Sequence, residues 1–123
     1  MNSTIETIFN NFYVDGKEIP VTFKRYDGKS TTYVTYMHLD NDNSLSAEDE
    51  IINYVSYYDF DIYSKGNYLN IVKRIKEIMK ANGWKWQPSR DSEDLYENDT
   101  GYFHKTLCFA IEMDNETEEI PSV

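Results

Sequence analysis

Cysteine occurs once in the 123 residues, as Cys108. No intrachain disulfide can form, and the cysteine usage does not point to a secreted, cross-linked scaffold. Histidine occurs only as His38 and His104, so with one cysteine the chain is short of ligands for a zinc site. Basic residues are scarce as well. Twelve Lys and Arg stand against twenty-two Asp and Glu, a net charge of −10, so the chain as a whole repels phosphate backbones and the balance argues against a basic nucleic-acid groove. No apolar run approaches the ~20 residues a membrane helix needs. The N-terminal MNSTIETIFNNFY lacks the basic start and continuous apolar stretch of a signal peptide, so a soluble protein made in a cytoplasm is expected. Gly-rich phosphate loops and Ser-centred elbows are also missing.

What the chain does have is tyrosine, eleven of them, within a hydrophobic share of only 40%. Tyrosine suits a half-buried sheet, and it equally suits a surface that meets other proteins. The length matches one domain and is enough to bury a core without staples.

Residues 3–14 read as a short helix, capped by Ser3 or Thr4, with Ile5, Ile8, Phe9 and Phe12 at helical spacing and Asp15-Gly16 ending it. Residues 19–25 and 32–39 read as strands around a turn at Asp27-Gly28-Lys29, and 40–49 as a polar loop. A long strand follows over 50–64. It places Ile52, Tyr54, Tyr58, Phe60 and Ile62 on one face and Asn53, Val55, Tyr57, Asp59 and Asp61 on the other. The spacing of Tyr68, Ile71, Val72, Ile75, Ile78 and Met79 predicts an amphipathic helix over 67–82, capped by Asn67 and stopped by Gly83. Residues 84–87 begin another strand, 88–101 form a polar, acidic loop, and 102–113 alternate with Phe103, Leu107, Phe109, Ile111 and Met113 pointing one way. The order is α-β-β-β-α-β-β, which predicts an α+β fold with a mainly antiparallel sheet and two helices. One domain is expected over 1–113, with an acidic, disordered tail over 114–123.

Several groupings invite chemistry and fall short of it. Asp40-Asn41-Asp42-Asn43-Ser44 alternates oxygen ligands, but Leu45 stands where a calcium loop needs Gly and Ile51 where it needs Glu. His104 and Cys108 lie some 13–14 Å apart along a strand, beyond the reach of a nucleophile and its base; a packed Cys108 and a surface His104 are expected. Asp59 and Asp61 sit about 7 Å apart on one strand face, an arrangement common in solvated carboxylates. Lys73, Arg74, Lys76 and Lys80 gather on the outer side of the second helix, partly complementing its C-terminal dipole and partly offering a dock for an acidic neighbour. Neither catalytic residues nor a cofactor is expected.

Taken in order, Ile19-Pro20-Val21, Tyr26-Asp27-Gly28, Thr32-Tyr33-Val34-Thr35-Tyr36, Asp59-Phe60-Asp61-Ile62-Tyr63-Ser64-Lys65, and Asp94-Leu95-Tyr96-Glu97-Asn98-Asp99-Thr100 with Tyr102-Phe103-His104-Lys105 form a pattern. It resembles the tail-completion, or tail-to-head joining, proteins of long-tailed phages and prophages of Gram-positive bacteria, distant relatives of the lambda-type tail terminator. The resemblance covers about residues 5–113. It implies an α+β virion subunit that forms a hexameric ring on the tail tube, ends tube growth and meets the head–tail connector. DNA would pass through that ring without specific binding, and no membrane is involved. The family has no active site to carry over. Its contacts come largely from loops and strand edges, here 40–49 and 88–101. Asp40, Asp42, Asp94, Tyr96 and Asp99 are therefore candidate interface residues, together with Lys73, Arg74 and Lys76 on the second helix. The competing reading is a small acidic phage protein that imitates DNA and blocks a host DNA-binding defence enzyme.

Overall fold

A computed structural model describes residues 2–47 and 50–114. The order is α1 (Asn2–Ile8), β1 (Tyr13–Val14), β2 (Lys17–Glu18), β3 (Val21–Phe23), β4 (Thr32–Ala47), β5 (Glu50–Ser64), α2 (Leu69–Ala81), β6 (Lys85–Trp86), a 3₁₀ turn at Pro88–Arg90, β7 (Leu95–Glu97) and β8 (Tyr102–Asp114). The fold is α+β, with most strand pairs antiparallel. The main sheet runs β3-β4-β5-β8-β6, and β7 also pairs with β8. The tail expected over 114–123 lies outside the described residues, apart from Asp114 at the end of β8.

One face of this sheet carries the core. Val34 and Tyr36 of β4, Tyr58, Phe60 and Ile62 of β5, and Leu107 and Phe109 of β8 are buried against α1 and α2. The period of two on the strands thus meets the 3.6-residue stripe of α2, where Ile71, Val72, Ile75 and Met79 are buried. Aromatic rings hold the centre: Phe60 stacks on Tyr36 at 5.6 Å and meets the Phe109 ring edge-on at 5.5 Å, while Trp84 meets Tyr58 edge-on at 5.4 Å. Asn67 Oδ1 accepts the Leu69 amide at 2.9 Å at the start of α2, and Gly83, at φ +87°, turns the chain after it.

Four sequence expectations are corrected. The helix expected over 3–14 stops at Ile8. Asn11 takes a left-handed φ of 57°, and Asp15-Gly16, both at positive φ, makes the two-residue turn of a β1–β2 hairpin, for which Asp-Gly is a strong signal. The strand expected over 19–25 shortens to Val21–Phe23, ending at Lys24 with φ 64°, and it pairs with β4 in parallel, Val21 opposite Val34. The turn between them has Gly28 pressed against the Tyr26 ring, where a side chain would collide. The polar loop expected over 40–49 is strand as far as Ala47, because β4 continues along β5 to the Ala47–Glu50 pair through three irregularities of register. Its polar composition hid it, since the sequence signal of a strand is apolar alternation.

The fourth correction concerns 88–101, which is fastened down as a strap over the outer edge of β8. Asp91 Oδ1 accepts the Cys108 amide at 2.8 Å, and Ser92 Oγ accepts the Thr106 amide at 2.8 Å. The Ser92 amide donates to the Thr106 carbonyl and the Gln87 amide to the Cys108 carbonyl. Two polar side chains therefore take the place of backbone carbonyls and satisfy a strand edge between β7 and β6.

Candidate functional site

The second face of the sheet, away from the helices, collects the polar and titratable side chains. Register brings them into rows: Tyr33, Tyr63 and His104 lie side by side, as do Thr35, Asp61 and Thr106, and then Met37, Asp59 and Cys108. The first row is an aromatic ladder. Tyr26 stacks on Tyr33 at 4.6 Å, Tyr33 on Tyr63 at 4.9 Å, and Tyr63 on the His104 ring at 4.3 Å. Burial, together with the nearby Asp61 carboxylate, pushes the Tyr63 hydroxyl up to about 12.

In the second row Asp61 Oδ1 accepts from Thr106 Oγ1 at 2.6 Å and from His104 Nε2 at 3.0 Å. His104 is therefore half-buried and tied to β5, where the sequence suggested a surface residue. In the third row Asp59 Oδ1 is buried without a hydrogen-bond partner among the described residues. Burial, then the Asp61 charge, raises the Asp59 carboxyl above its ordinary range; the Cys108 thiol and the Arg90 guanidinium pull it part of the way back. Cys108 is fully buried, as expected, and burial beside Asp59 pushes its thiol up to about 12. A protonated, enclosed thiol is a poor nucleophile. Arg90 reaches over this row from the strap, with its guanidinium 3.7 Å above the Tyr57 ring and Nη1 3.1 Å from Asp40.

The candidate interface residues do not form one patch. Asp40 and Asp42 lie on β4. Lys73 and Arg74 are exposed on α2, whereas Lys76 is half-covered, its Nζ 3.5 Å from the Trp86 ring centre. Asp99 is exposed in the turn between β7 and β8. Asp94 and Tyr96 come together near the start of α2. There Tyr96 packs on Phe103 at 4.9 Å, and Asp94 accepts from the Tyr68 hydroxyl and lies 3.5 Å from Lys105. The Tyr68 hydrogen bond and then the Lys105 charge hold the Asp94 carboxyl below its ordinary range. Around them Leu69 is 63% exposed and Phe103 36%, and both line a shallow groove with Tyr68, Asn67 and Asp94.

Sequence reasoning missed Tyr63, Arg90, Asp91, Ser92 and Thr106. Alternation alone puts Asp59 and Asp61 on one face of β5, and His104, Thr106 and Cys108 on one face of β8, but which carboxylate meets which partner depends on register. Among the described residues no three His, Cys, Asp or Glu come together as metal ligands, and no helix is long and apolar enough to cross a membrane. No protein-family model matches the chain, and no curated protein matches it.

Proposed function

We propose that this protein is a phage structural subunit, one of a ring of identical copies that caps the tail tube and joins it to the head connector. The reading rests on the pattern of motifs from Ile19-Pro20-Val21 to Tyr102-Phe103-His104-Lys105. The observation that carries it furthest in the structure is the exposed apolar group Leu69, Tyr96 and Phe103. Large apolar side chains gathered around a groove are a feature of surfaces that meet another protein. They sit at the β7–β8 end of the sheet and on α2, away from the β4 edge, so a neighbour that used them against a different surface would make the head-to-tail contact from which rings close. The acidic balance fits a passage along which DNA slides without sticking.

Deleting the gene from the phage and viewing the lysate by electron microscopy tests the proposal. DNA-filled heads without tails are expected, beside free tails that are too long or poorly terminated. Normal infectious virions lacking this protein would sink it. Loss of growth confined to hosts with DNA-cleaving defences would favour the DNA-mimic reading instead.

A further inference from the structure

The basic residues of this acidic chain are unevenly spread. Lys73, Arg74, Lys76, Lys80 and Lys85 fall within a stretch, 73–85, that holds a single acid, Glu77. Lys73, Lys76 and Lys80 follow one another at i, i+3 and i+7, so they line one side of α2. That side faces β6, because Lys76 Nζ lies over the Trp86 ring. Lys73 and Lys80 are exposed and make no ion pair among the described residues. The Trp86 ring beside them is 42% exposed, although its Nε1 donates to Asp91 at 2.7 Å. A row of ammonium groups thus runs beside an open aromatic face.

The chain carries the matching charge close by. Lys85 pairs with Ala110 and Trp86 with Phe109, so the C-terminal end of α2, which leads into β6, lies level with that part of β8. β8 continues to Asp114, four residues or about 13 Å further. The sequence then reads Asn115, Glu116, Thr117, Glu118, Glu119 and Ile120, with three acids, no base and an apolar end. Asp114-Asn115 is a pair suited to reversing the chain. From Asn115 to Ile120 an extended chain spans up to roughly 20 Å, enough to return along β8 and cross the ~10 Å width of a helix. Single exposed ion pairs contribute little, so a contact built from them needs a partner held close. A short tether supplies that, with an effective concentration in the millimolar range, and so favours this segment over a free acidic molecule.

We propose that the segment 115–120 folds back over the C-terminal half of α2, with its three glutamates set against the row Lys73, Lys76 and Lys80 and Ile120 against the Trp86 ring. It covers the basic face of α2, and an acidic partner must displace it to dock there. The inference does not rest on the tail-tube reading.

The test uses the full chain, ¹⁵N-labelled, with Ser122→Cys carrying a nitroxide spin label; Cys108 is fully buried and stays unmodified. The amides of Lys76–Asn82 and the Trp86 indole N–H should broaden, more strongly than the amides in the first turn of α2. The broadening should fade as salt rises to about 0.5 M, where the screening length is about 4 Å. It should fade equally when Glu116→Gln, Glu118→Gln and Glu119→Gln are combined. In a mixture of ¹⁵N chains without nitroxide and ¹⁴N chains that carry it, no broadening should pass between chains. Unbroadened α2 amides would overturn the proposal. Broadening that survives both salt and the glutamine variant would reflect tethering alone and overturn it too. Transfer in the mixture would place the segment on a second copy and overturn the intramolecular contact.

Discussion

Asp59 is a carboxylate held at a disadvantage. Its Oδ1 has no donor among the described residues, Asp61 stands beside it, and burial raises its pKa. The folded chain therefore binds this proton more tightly than the unfolded chain does. The associated stability is fully present below the ordinary carboxylate range, about pH 4, and is lost as pH rises through the raised folded value. Asp59→Asn removes the charge at nearly constant shape. Its melting temperature should exceed the wild type by a few degrees at pH 7, and the gap should close below about pH 4. A variant that melts at or below the wild-type temperature at pH 7 would mean that Arg90 and the Cys108 thiol compensate the charge in full. Asp94 has the opposite sign: its lowered pKa contributes stability at neutral pH that is lost as pH falls through the lowered value. This contrast was not legible in the sequence. Both residues stand in polar stretches, and only the register of β5 on β8 and the fastening of the strap separate a buried aspartate from an exposed one.

Among the elements, α2 was the most legible, because thirteen residues of regular helix give a periodic signal more than three turns long. Its stripe also fixes which side faces the sheet, and Ile75 is fully buried at the centre of that side. Ile75→Asp should bury a charge without a partner and lower stability by several kcal/mol, whereas Ile75→Val should cost only about 0.5–1.5 kcal/mol. Urea unfolding of the two variants distinguishes packing from simple intolerance at the position. An Ile75→Asp midpoint equal to that of the wild type would contradict the packing of α2 into the core it shares with Phe60 and Leu107. The short elements were harder to read for a physical reason. β1, β2 and β6 have two residues each, too few for any period, and β4 beyond His38 has no apolar alternation to betray it. The Asp15-Gly16 turn did carry a local signal, which favours a hairpin over a helix end.

At the scale of the whole molecule, the order of elements anticipated the α+β class and composition the net charge, but composition could not show where the charge sits. Seven of the twenty-two acidic residues fall within 39–57 and 111–114, which contain no Lys or Arg, while Lys73, Arg74, Lys76 and Lys80 share α2 with a single acid, Glu77. Two effects of salt then compete. Added salt weakens ion pairs such as Arg25–Asp27, which is largely exposed, and Arg90–Asp40, which is partly exposed, and surface pairs of this kind contribute little to stability. It also screens the self-repulsion of a chain carrying −10, a cost spread over the whole folded surface. Going from roughly 20 mM to 200 mM sodium chloride shortens the screening length from about 20 Å to about 7 Å, less than the span of the acidic arm. Repulsion should win, and the melting temperature at pH 7 should rise by a few degrees across that range. At about pH 4, where many carboxylates are protonated, the same addition of salt should have much less effect. A melting temperature that falls with salt at pH 7 would show that the ion pairs outweigh the net charge, and that the acidic arm is compensated by neighbours within the fold.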